Sequence, residues 1–596
     1  MDIRHRSIGL FGLCILAIVT GAITGIGAVA FRALIALIHN FAFLGEVSTA
    51  FDANQFTPPS PWGPWVIAVP ILGGLIVTFL VTTFAPEARG HGVPEVLDAI
   101  YYKEGKIRPV VAAIKSLASA VSIGTGAAVG REGPIIQIGA TLGSSIGQMI
   151  AMAPWQRITL VAAGAGAGIA ATFNTPIGGV MFAIELMLPE LSARTFLPVA
   201  LATGTATYIG RIFLGLQPAF DVPQVLSLSN EPAALLALLL FALLGAIVGL
   251  AATGFIRGLV FAEDIFPKIR NPYLRHSVGM LMVGVLIYVL LLSHGHYFVQ
   301  GVGYATIQAI LSNNLTAVGL LLLLFVAKLF ATSVSLGSGA SGGIFSPSLF
   351  MGATLGAAFG GLVTMIAPVP GIDPVTCAII GMAAMVGGGT GAAMTAVTMI
   401  FEMTRDYDII MPIIVAVALS IGVRRLLSRE NIYTIKLVAR GHLVPKALHA
   451  NMFLVRHAEE VMDRDVIVLP AETDFAAFLR QTASRGFKHI VVTRGERIVG
   501  VLRVNTELRL GLEGAYSDVR LGDIAQSNFT VARADDVVFD VVERMWRRGA
   551  SMVVVIRGSA RVPRASHVIG MISKEHIADS VADSVRPYST EARGPV

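Results

Sequence analysis

Long runs without a charge dominate most of the chain. Ile8–Phe31, Pro64–Ala85 and Pro232–Ile256 are each uncharged and longer than 20 residues, the length at which a helix crosses the hydrocarbon layer. Between Glu132 and Glu185 the only charge is Arg157, and between Lys328 and Glu402 the only charge is Asp373. Stretches this long must hold several helices, and their many glycines and prolines predict broken, partial spans. Irregular backbone survives at membrane depth only where protein buries it or where it lines a wet cavity. After Ala447 the pattern changes. Phe475–Gly486 has helical spacing, and His489–Thr493 and Ile498–Leu502 read as short strands around a turn at Arg494–Glu496. The order recurs, with Val537–Gly549 as helix and Ser551–Arg557 and Val568–Ser573 as strands.

Composition sharpens the division. Of 596 residues, 54% are apolar and 14% charged, where a soluble domain carries about 25% charge. Residues 451–596 hold 39 of the 82 charged side chains. The expected organisation is an integral membrane domain over 1–435, a linker over 436–450, and a soluble region over 451–596 whose two repeats span about 451–512 and 520–582. The first apolar run reads as a membrane helix or signal anchor, not a cleaved leader. Arg4 and Arg6 before it, and Arg424, Arg425 and Arg429 after the last span, predict that both ends are cytoplasmic. A net charge of +6 without a basic run argues against nucleic acid as a partner. Cys14 and Cys377 both lie in apolar segments and make neither a disulfide framework nor a metal site.

Two stretches inside the apolar regions are versions of one another. Ser122–Gly143 and Ser335–Gly356 are identical at 11 of 22 positions, mostly glycines, a proline and a closing Gly-Ala-Thr-Leu-Gly. Paired Gly/Pro-interrupted segments in two halves are the best sequence pointer to a transport site. The first copy contains Gly130-Arg131-Glu132-Gly133-Pro134 and the second Gly342-Gly343-Ile344-Phe345-Ser346-Pro347, so that Glu132 matches Phe345. Helix starts leave N–H groups unpaired and carry partial positive charge. Two of them facing each other would make an anion site largely from backbone. Glu132 then reads as a helix cap and partner of Arg131, or as a carboxylate seated where an anion binds. An ionisable group at membrane depth is a functional candidate by default, and its place in the repeat favours the second reading. Ionised, it competes with an anion; protonated, it does not, which makes a pH-sensitive gate.

These motifs resemble the CLC chloride channels and chloride/proton exchangers. Gly90-His91-Gly92-Val93-Pro94-Glu95 is similar to that family's first anion-site motif, Ala171–Met187 to the helix that carries the exchangers' internal acid, and Asn431-Ile432-Tyr433 to its late tyrosine. The resemblance implies an α-helical polytopic membrane protein with two inverted repeats and broken helices, and a homodimer with one anion pathway per subunit. By position, Glu132 is the gate. Backbone amides around Gly343, Ile344 and Phe345 hold the anion, with His91 and the Tyr433 hydroxyl as further contacts. It also implies chloride as the transported ligand, membrane lipids as surroundings and a multi-pass location in the plasma or inner membrane. No cofactor is expected, nor an enzyme, since no metal-ligand cluster or nucleophile–base pair appears beside Glu132.

Two departures from the family pattern matter. Many members have a serine where this chain has His91, which can donate one N–H when neutral or add charge when protonated, or point away. Leu186 falls where many exchangers carry an intracellular glutamate that passes protons. Channel-type members are apolar there, so the sequence favours a gated chloride channel; the alternative is a chloride/proton antiporter with another inner proton route. Glu185, one residue earlier, reads with Glu402 as a pair of buried structural acids. A divalent-cation transporter would want several intramembrane carboxylates, which the uncharged runs lack.

The soluble region resembles a cytoplasmic α/β tandem pair of CBS domains, which in that setting bind adenine nucleotides or dimerise. The usual Ser/Thr followed three residues later by Asp is degraded to Arg503 and Thr506 in one copy and to Ser573 and His576 in the other. Thr493 and Ser573 remain the candidate nucleotide contacts, and dimerisation or coupling to the pore is the favoured role.

Overall fold

The computed structural model describes residues 8–150, 152–216, 219–222, 232–442, 455–475, 478, 489–503, 519–558 and 564–578. The chain divides into two compact units, Met1–Val444 and Pro445–Val596.

The first unit is helical, and its helices follow the internal repeat. One half comprises α1 (Leu10–His39), α2 (Ala68–Thr83), α3 (Val93–Tyr102), α4 (Val110–Gly124), α5 (Glu132–Met149), α6 (Pro154–Phe173), α7 (Pro176–Phe182) and α8 (Ala193–Leu214). The other comprises α9 (Pro232–Ile265), α10 (Pro272–His294), α11 (Tyr304–Leu311), α12 (Val318–Ser338), α13 (Phe345–Ile366), α14 (Pro374–Thr390), α15 (Ala393–Thr404) and α16 (Ile410–Leu427), with a short α17 (Thr434–Ala439) after it. Packing repeats as well. Helix α1 lies on α6 and α8 as α9 lies on α14 and α16, and α5 lies on α6 as α13 lies on α14. The halves meet where α2 packs on α10, α7 on α15 and α5 on α13. Among the described residues, eight helical segments are long and apolar enough to cross a membrane, while α4, α7, α14 and α15 are apolar but shorter. These are the broken spans that the glycines and prolines predict.

Small residues explain the close crossings. A Cβ at Gly139 of α5 would lie 2.1 Å from the Gly164 carbonyl oxygen, and one at Gly143 would lie 2.1 Å from that of Leu160. Their equivalents in α13, Gly352 and Gly356, face the Gly381 and Cys377 carbonyls at 2.3 and 2.1 Å. Lipid is as apolar as leucine, so helices in a bilayer gain from such backbone-to-backbone approach and not from burying larger side chains.

Two fully buried lysines, 213 positions apart, hold matching loops. Lys115 of α4 donates to the carbonyls of Ala88 and Gly90 (3.0 and 2.7 Å), and Lys328 of α12 donates to those of Val299 and Gly301 (2.8 and 2.7 Å). Each loop then turns through a glycine at positive φ, Gly92 (84°) or Gly303 (82°), into a short helix, α3 or α11. A buried ammonium is tolerated only with its protons engaged, so each lysine both needs and fixes its loop.

The second unit contains two three-stranded sheets, β1 (Val466–Pro470), β2 (His489–Arg494) and β3 (Arg497–Arg503), and β4 (Phe529–Arg533), β5 (Met552–Ile556) and β6 (Val568–Ser573). In each, the first strand runs parallel to the central one and the last antiparallel to it. The sequence reading finds β2, β3, β5 and β6 and misses β1 and β4, five-residue strands whose pairing depends on a distant partner. Val491, Val501, Met552, Val554 and Met571 form one core cluster shared by the two sheets. Helix α18 (Val538–Arg547) buries Val538, Val541 and Met545 on one side. Most of the helix expected over 475–486, and Thr506, lie outside the described residues.

A candidate anion site between two helix starts

The three glycine-rich motifs converge. Gly130 and Gly343 exchange both backbone hydrogen bonds (2.7 and 2.6 Å), joining the two copies of the repeat in antiparallel register. The Gly342 N–H donates to the Gly90 carbonyl and the Gly90 N–H to that of Ala340, each at 3.2 Å, which brings in the third motif. A Cβ on Gly133 would sit 2.3 Å from the His91 carbonyl oxygen and 2.8 Å from Gly343 Cα. The starts of α5 and α13 therefore meet through backbone with no room for a side chain between them. Because the Gly343 amide is spent on Gly130, it is not free to hold an anion; its part is to tie the loops. Ile344 and Phe345 are the N-cap and first residue of α13, where helix geometry leaves amides without an intrahelical partner.

Glu132, the first residue of α5, has no solvent exposure. Its Oε1 accepts from the Tyr304 hydroxyl, and its Oε2 accepts from the Ser346 hydroxyl (2.5 Å) and the Ser346 N–H (3.3 Å). The Arg131 Nε lies 3.8 Å from Oε1. The carboxylate thus lies across the start of α13 in the manner of a bound anion, with the favourable end of a helix dipole in front of it. Sequence reasoning picks out neither Tyr304 nor Ser346. Ser346 stands opposite Gly133 in the repeat, and its hydroxyl was the available clue. Tyr304 follows Gly301-Val302-Gly303 as Val93 follows Gly90-His91-Gly92, a correspondence visible only once the two loops are superposed. Phe220 packs edge-on to the Tyr304 ring (5.1 Å), and the Arg131 guanidinium lies 5.0 Å above it, a cation–π arrangement that fixes the ring.

Outside this group lies a cavity of about 480 Å³ lined by Arg32, Asp52, Arg131, Asn174, Arg211 and Tyr304 among others. Its three guanidinium groups face two carboxylates, Asp52 and Asp221, a small excess of cationic side chains. His91 is not part of that lining; it is buried, its Nδ1 has no hydrogen-bond partner among the described residues, and its ring lies 5.9 Å from that of Tyr433. Tyr433 is also buried. Its N–H and that of Thr434 donate to Asn431 Oδ1 (2.9 and 2.8 Å), which anchors the turn into α17.

Leu186 sits half-buried in the π-turn Ala183–Met187 that ends α7. Glu185 and Glu402 are half-buried, less enclosed than the sequence suggests, and each caps a helix of the opposite half. Glu185 accepts from the N–H groups of Met394 and Thr395 (3.2 and 2.8 Å) and the Thr395 hydroxyl (2.9 Å) at the start of α15. Glu402 accepts from the N–H groups of Ile177 and Gly178 (3.0 and 2.7 Å) at the start of α7. Replacing Glu185 with alanine should cost about 1–2 kcal/mol, as for loss of a good N-cap. It should appear as a lower melting temperature of the purified protein in detergent; an unshifted transition would remove the capping role.

In the second unit the Thr493 hydroxyl faces the Leu469 carbonyl at 3.4 Å, and the Ser573 hydroxyl accepts from the His576 N–H at 3.2 Å. His576, standing where a ribose-binding carboxylate is usual, accepts at Nδ1 from the Ser573 N–H (3.3 Å) and places Nε2 3.2 Å from Asp463. Asp463, His489 and His576 bring three ligand-type atoms within 4.8 Å of one another. With Nδ1 accepting, neutral His576 carries its proton on Nε2, toward Asp463, so the geometry is that of an aspartate–histidine pair and not of a metal set.

Duplicated membrane halves, facing helix starts and a guanidinium-rich approach define an anion transporter of the membrane. The chain belongs to the voltage gated chloride channel family, whose model matches residues 73–425, and a CBS domain model matches residues 458–505. It is 33% identical to the H(+)/Cl(-) exchange transporter ClcA of Salmonella arizonae over 68% of this chain and 83% of that protein. It is 31% identical to the ClcA of Vibrio parahaemolyticus over 71% and 89%. A slow cyanobacterial Cl-/H+ antiporter shares the fold with 26% identity and a TM-score of 0.63, over 72% of this chain and 97% of that one. A eukaryotic CLC transporter matches 95% of this chain and 98% of its own with a TM-score of 0.59; at 20% identity this is a likeness of fold.

Proposed function

We propose that the protein is a chloride/proton antiporter in which Glu132 alternately occupies the anion site as a carboxylate and leaves it as a protonated acid. The observation that carries this reading is the seat of the carboxylate: fully buried, and held by the amide and hydroxyl of Ser346 where α13 begins. A chloride entering that seat must displace it, and a protonated acid yields more readily because it has lost the charge that the helix start favours. Exchange therefore takes precedence over the channel expected from Leu186. The relatives at about a third identity are named exchangers, and an apolar Leu186 removes one inner proton route without removing the acid that exchange requires. The inner step then runs without a side-chain acid at that position.

On the same reading Ile344, Phe345 and Tyr433 surround the anion, and His91 contributes its Nδ1 side from within. Every one of these residues comes from a single chain, so a homodimer in the cell membrane would carry one pathway per subunit, with both ends of the membrane unit cytoplasmic. Ser573 and His576 are engaged with each other, which supports dimerisation or coupling for the second unit over adenine-nucleotide binding.

The test is flux in liposomes. An imposed chloride gradient should drive protons uphill, and the reversal potential should depend on both gradients. A reversal potential set by chloride alone would return the protein to the channels. Exchanging His91 for serine should change the preference between chloride and nitrate by several-fold, measured as relative uptake; identical selectivity would place the imidazole outside the anion's reach.

A further inference from the structure

Three oxygen-bearing groups at the site form a closed triangle. Tyr304 and Ser346 each touch one oxygen of Glu132, and their hydroxyl oxygens lie 3.0 Å from each other. Counting protons distinguishes the two states of the acid. With Glu132 ionised, the triangle holds two hydroxyl protons for three oxygen–oxygen contacts. Both protons point at the carboxylate, and the Tyr304–Ser346 contact is left without one. With Glu132 protonated there are three protons for three contacts. The acid donates from Oε1 to the Tyr304 oxygen, Tyr304 to the Ser346 oxygen, and Ser346 to the carboxyl Oε2, so every contact is a hydrogen bond in a ring whose members polarise one another.

The position of Tyr304 adds a direction. Both Glu132 and Tyr304 are buried, at 0% and 1% exposure, but Tyr304 borders the cavity and also touches the carboxyl, whereas Glu132 is not part of the cavity lining. The other ionisable groups around the acid cannot serve. Arg131 is a cation without a lone pair to receive a proton, and Lys328 is committed to the carbonyls of Val299 and Gly301. Tyr433 lies beside His91, and neither lines the cavity. Arg32, Asp52, Arg211 and Asp221 line the same cavity, but among the described residues it is Tyr304, Ser346 and Arg131 that reach the carboxyl.

We propose that Tyr304, with Ser346, is the relay that protonates Glu132 while it is still seated at the start of α13. A proton from water in the cavity binds the Tyr304 oxygen as the phenolic proton passes to Glu132 Oε1. One O–H bond breaks on tyrosine and one forms, and the net change is a single proton moved from solvent to the carboxyl. The acid, no longer held by its charge at the helix start, then swings away and a chloride takes its seat. This deepens the proposed exchange and rests on it.

The test compares wild-type, Tyr304→Phe and Ser346→Ala proteins in liposomes, measuring proton and chloride flux together from external pH of about 3.5 to about 7.5, a range set to straddle the ordinary carboxylate and histidine values. Phenylalanine keeps the ring packed and removes the relay atom. The expected result is a fall of about tenfold in proton flux, the worth of one charge-assisted hydrogen bond, with chloride flux raised because the carboxylate is held less firmly. Ser346→Ala should move both fluxes the same way by a smaller factor, since the backbone N–H of residue 346 still holds Oε2. A merely structural tyrosine would lower both fluxes together. Wild-type coupling ratios in either variant, or a parallel loss of both fluxes in both, overturn the relay. Absence of proton movement in the wild-type protein instead overturns the exchange reading itself.

Discussion

Replacing Glu132 with alanine is expected to abolish proton movement while chloride passage continues at an equal or higher rate. The wild-type carboxylate occupies the start of α13 with three hydrogen bonds to it, from Tyr304, the Ser346 hydroxyl and the Ser346 amide. Bonds to a charged group contribute about 1.5–3 kcal/mol each, so an anion competing for that seat starts at a disadvantage of tenfold or more. Alanine removes both the competitor and, among the described residues, the one carboxyl group seated at the start of α13. The pH dependence should flatten accordingly: wild-type flux rises as acid neutralises the carboxylate, and the alanine variant has nothing there to neutralise. Glu132→Gln separates the two roles, because it keeps the shape of the protonated acid and cannot give up a proton. Residual proton transport in the alanine variant, or an unaltered pH profile, would show that another group is the gate.

A single methyl group at Gly133 should be nearly as damaging by a different route. Its Cβ would enter to 2.3 Å of the His91 carbonyl oxygen and 2.8 Å of Gly343 Cα, and both neighbours are backbone, which cannot swing aside. Overpacking a tight core costs about 1–3 kcal/mol and occasionally more. Here the displaced groups are the loops that place His91 and the amides of α13, so Gly133→Ala should reduce chloride flux at least tenfold in protein that still purifies. Equal flux and an equal melting temperature would mean that the two helix starts are not pressed together as described.

Much of this site is legible in the sequence because the duplication marks it. Glycines at matched positions permit backbone contact, and the one acid that differs between the copies, Glu132 opposite Phe345, draws attention to the seat. What stays hidden depends on partners far away along the chain. Tyr304 lies 172 positions from Glu132, in a stretch with nothing unusual in its local pattern. Gly343 looks like a free donor until Gly130 is found opposite it. Glu185 and Glu402 read as enclosed acids, whereas their surroundings are the exposed starts of helices in the other half. In the second unit the hidden strands, β1 and β4, are short and gain their place from β2 and β5 rather than from their own composition.

The exchanged carboxylate caps have a mechanical consequence. Each half clasps the other by an acid, Glu185 on α15 and Glu402 on α7, so pulling the halves apart strips two charges of their donors at once. A transport cycle that tilts one lobe against its sibling would meet that resistance at every turn. The economical motion is therefore a local one, confined to a swinging side chain inside a stationary frame. Cross-linking α7 to α15 should leave the turnover rate almost untouched.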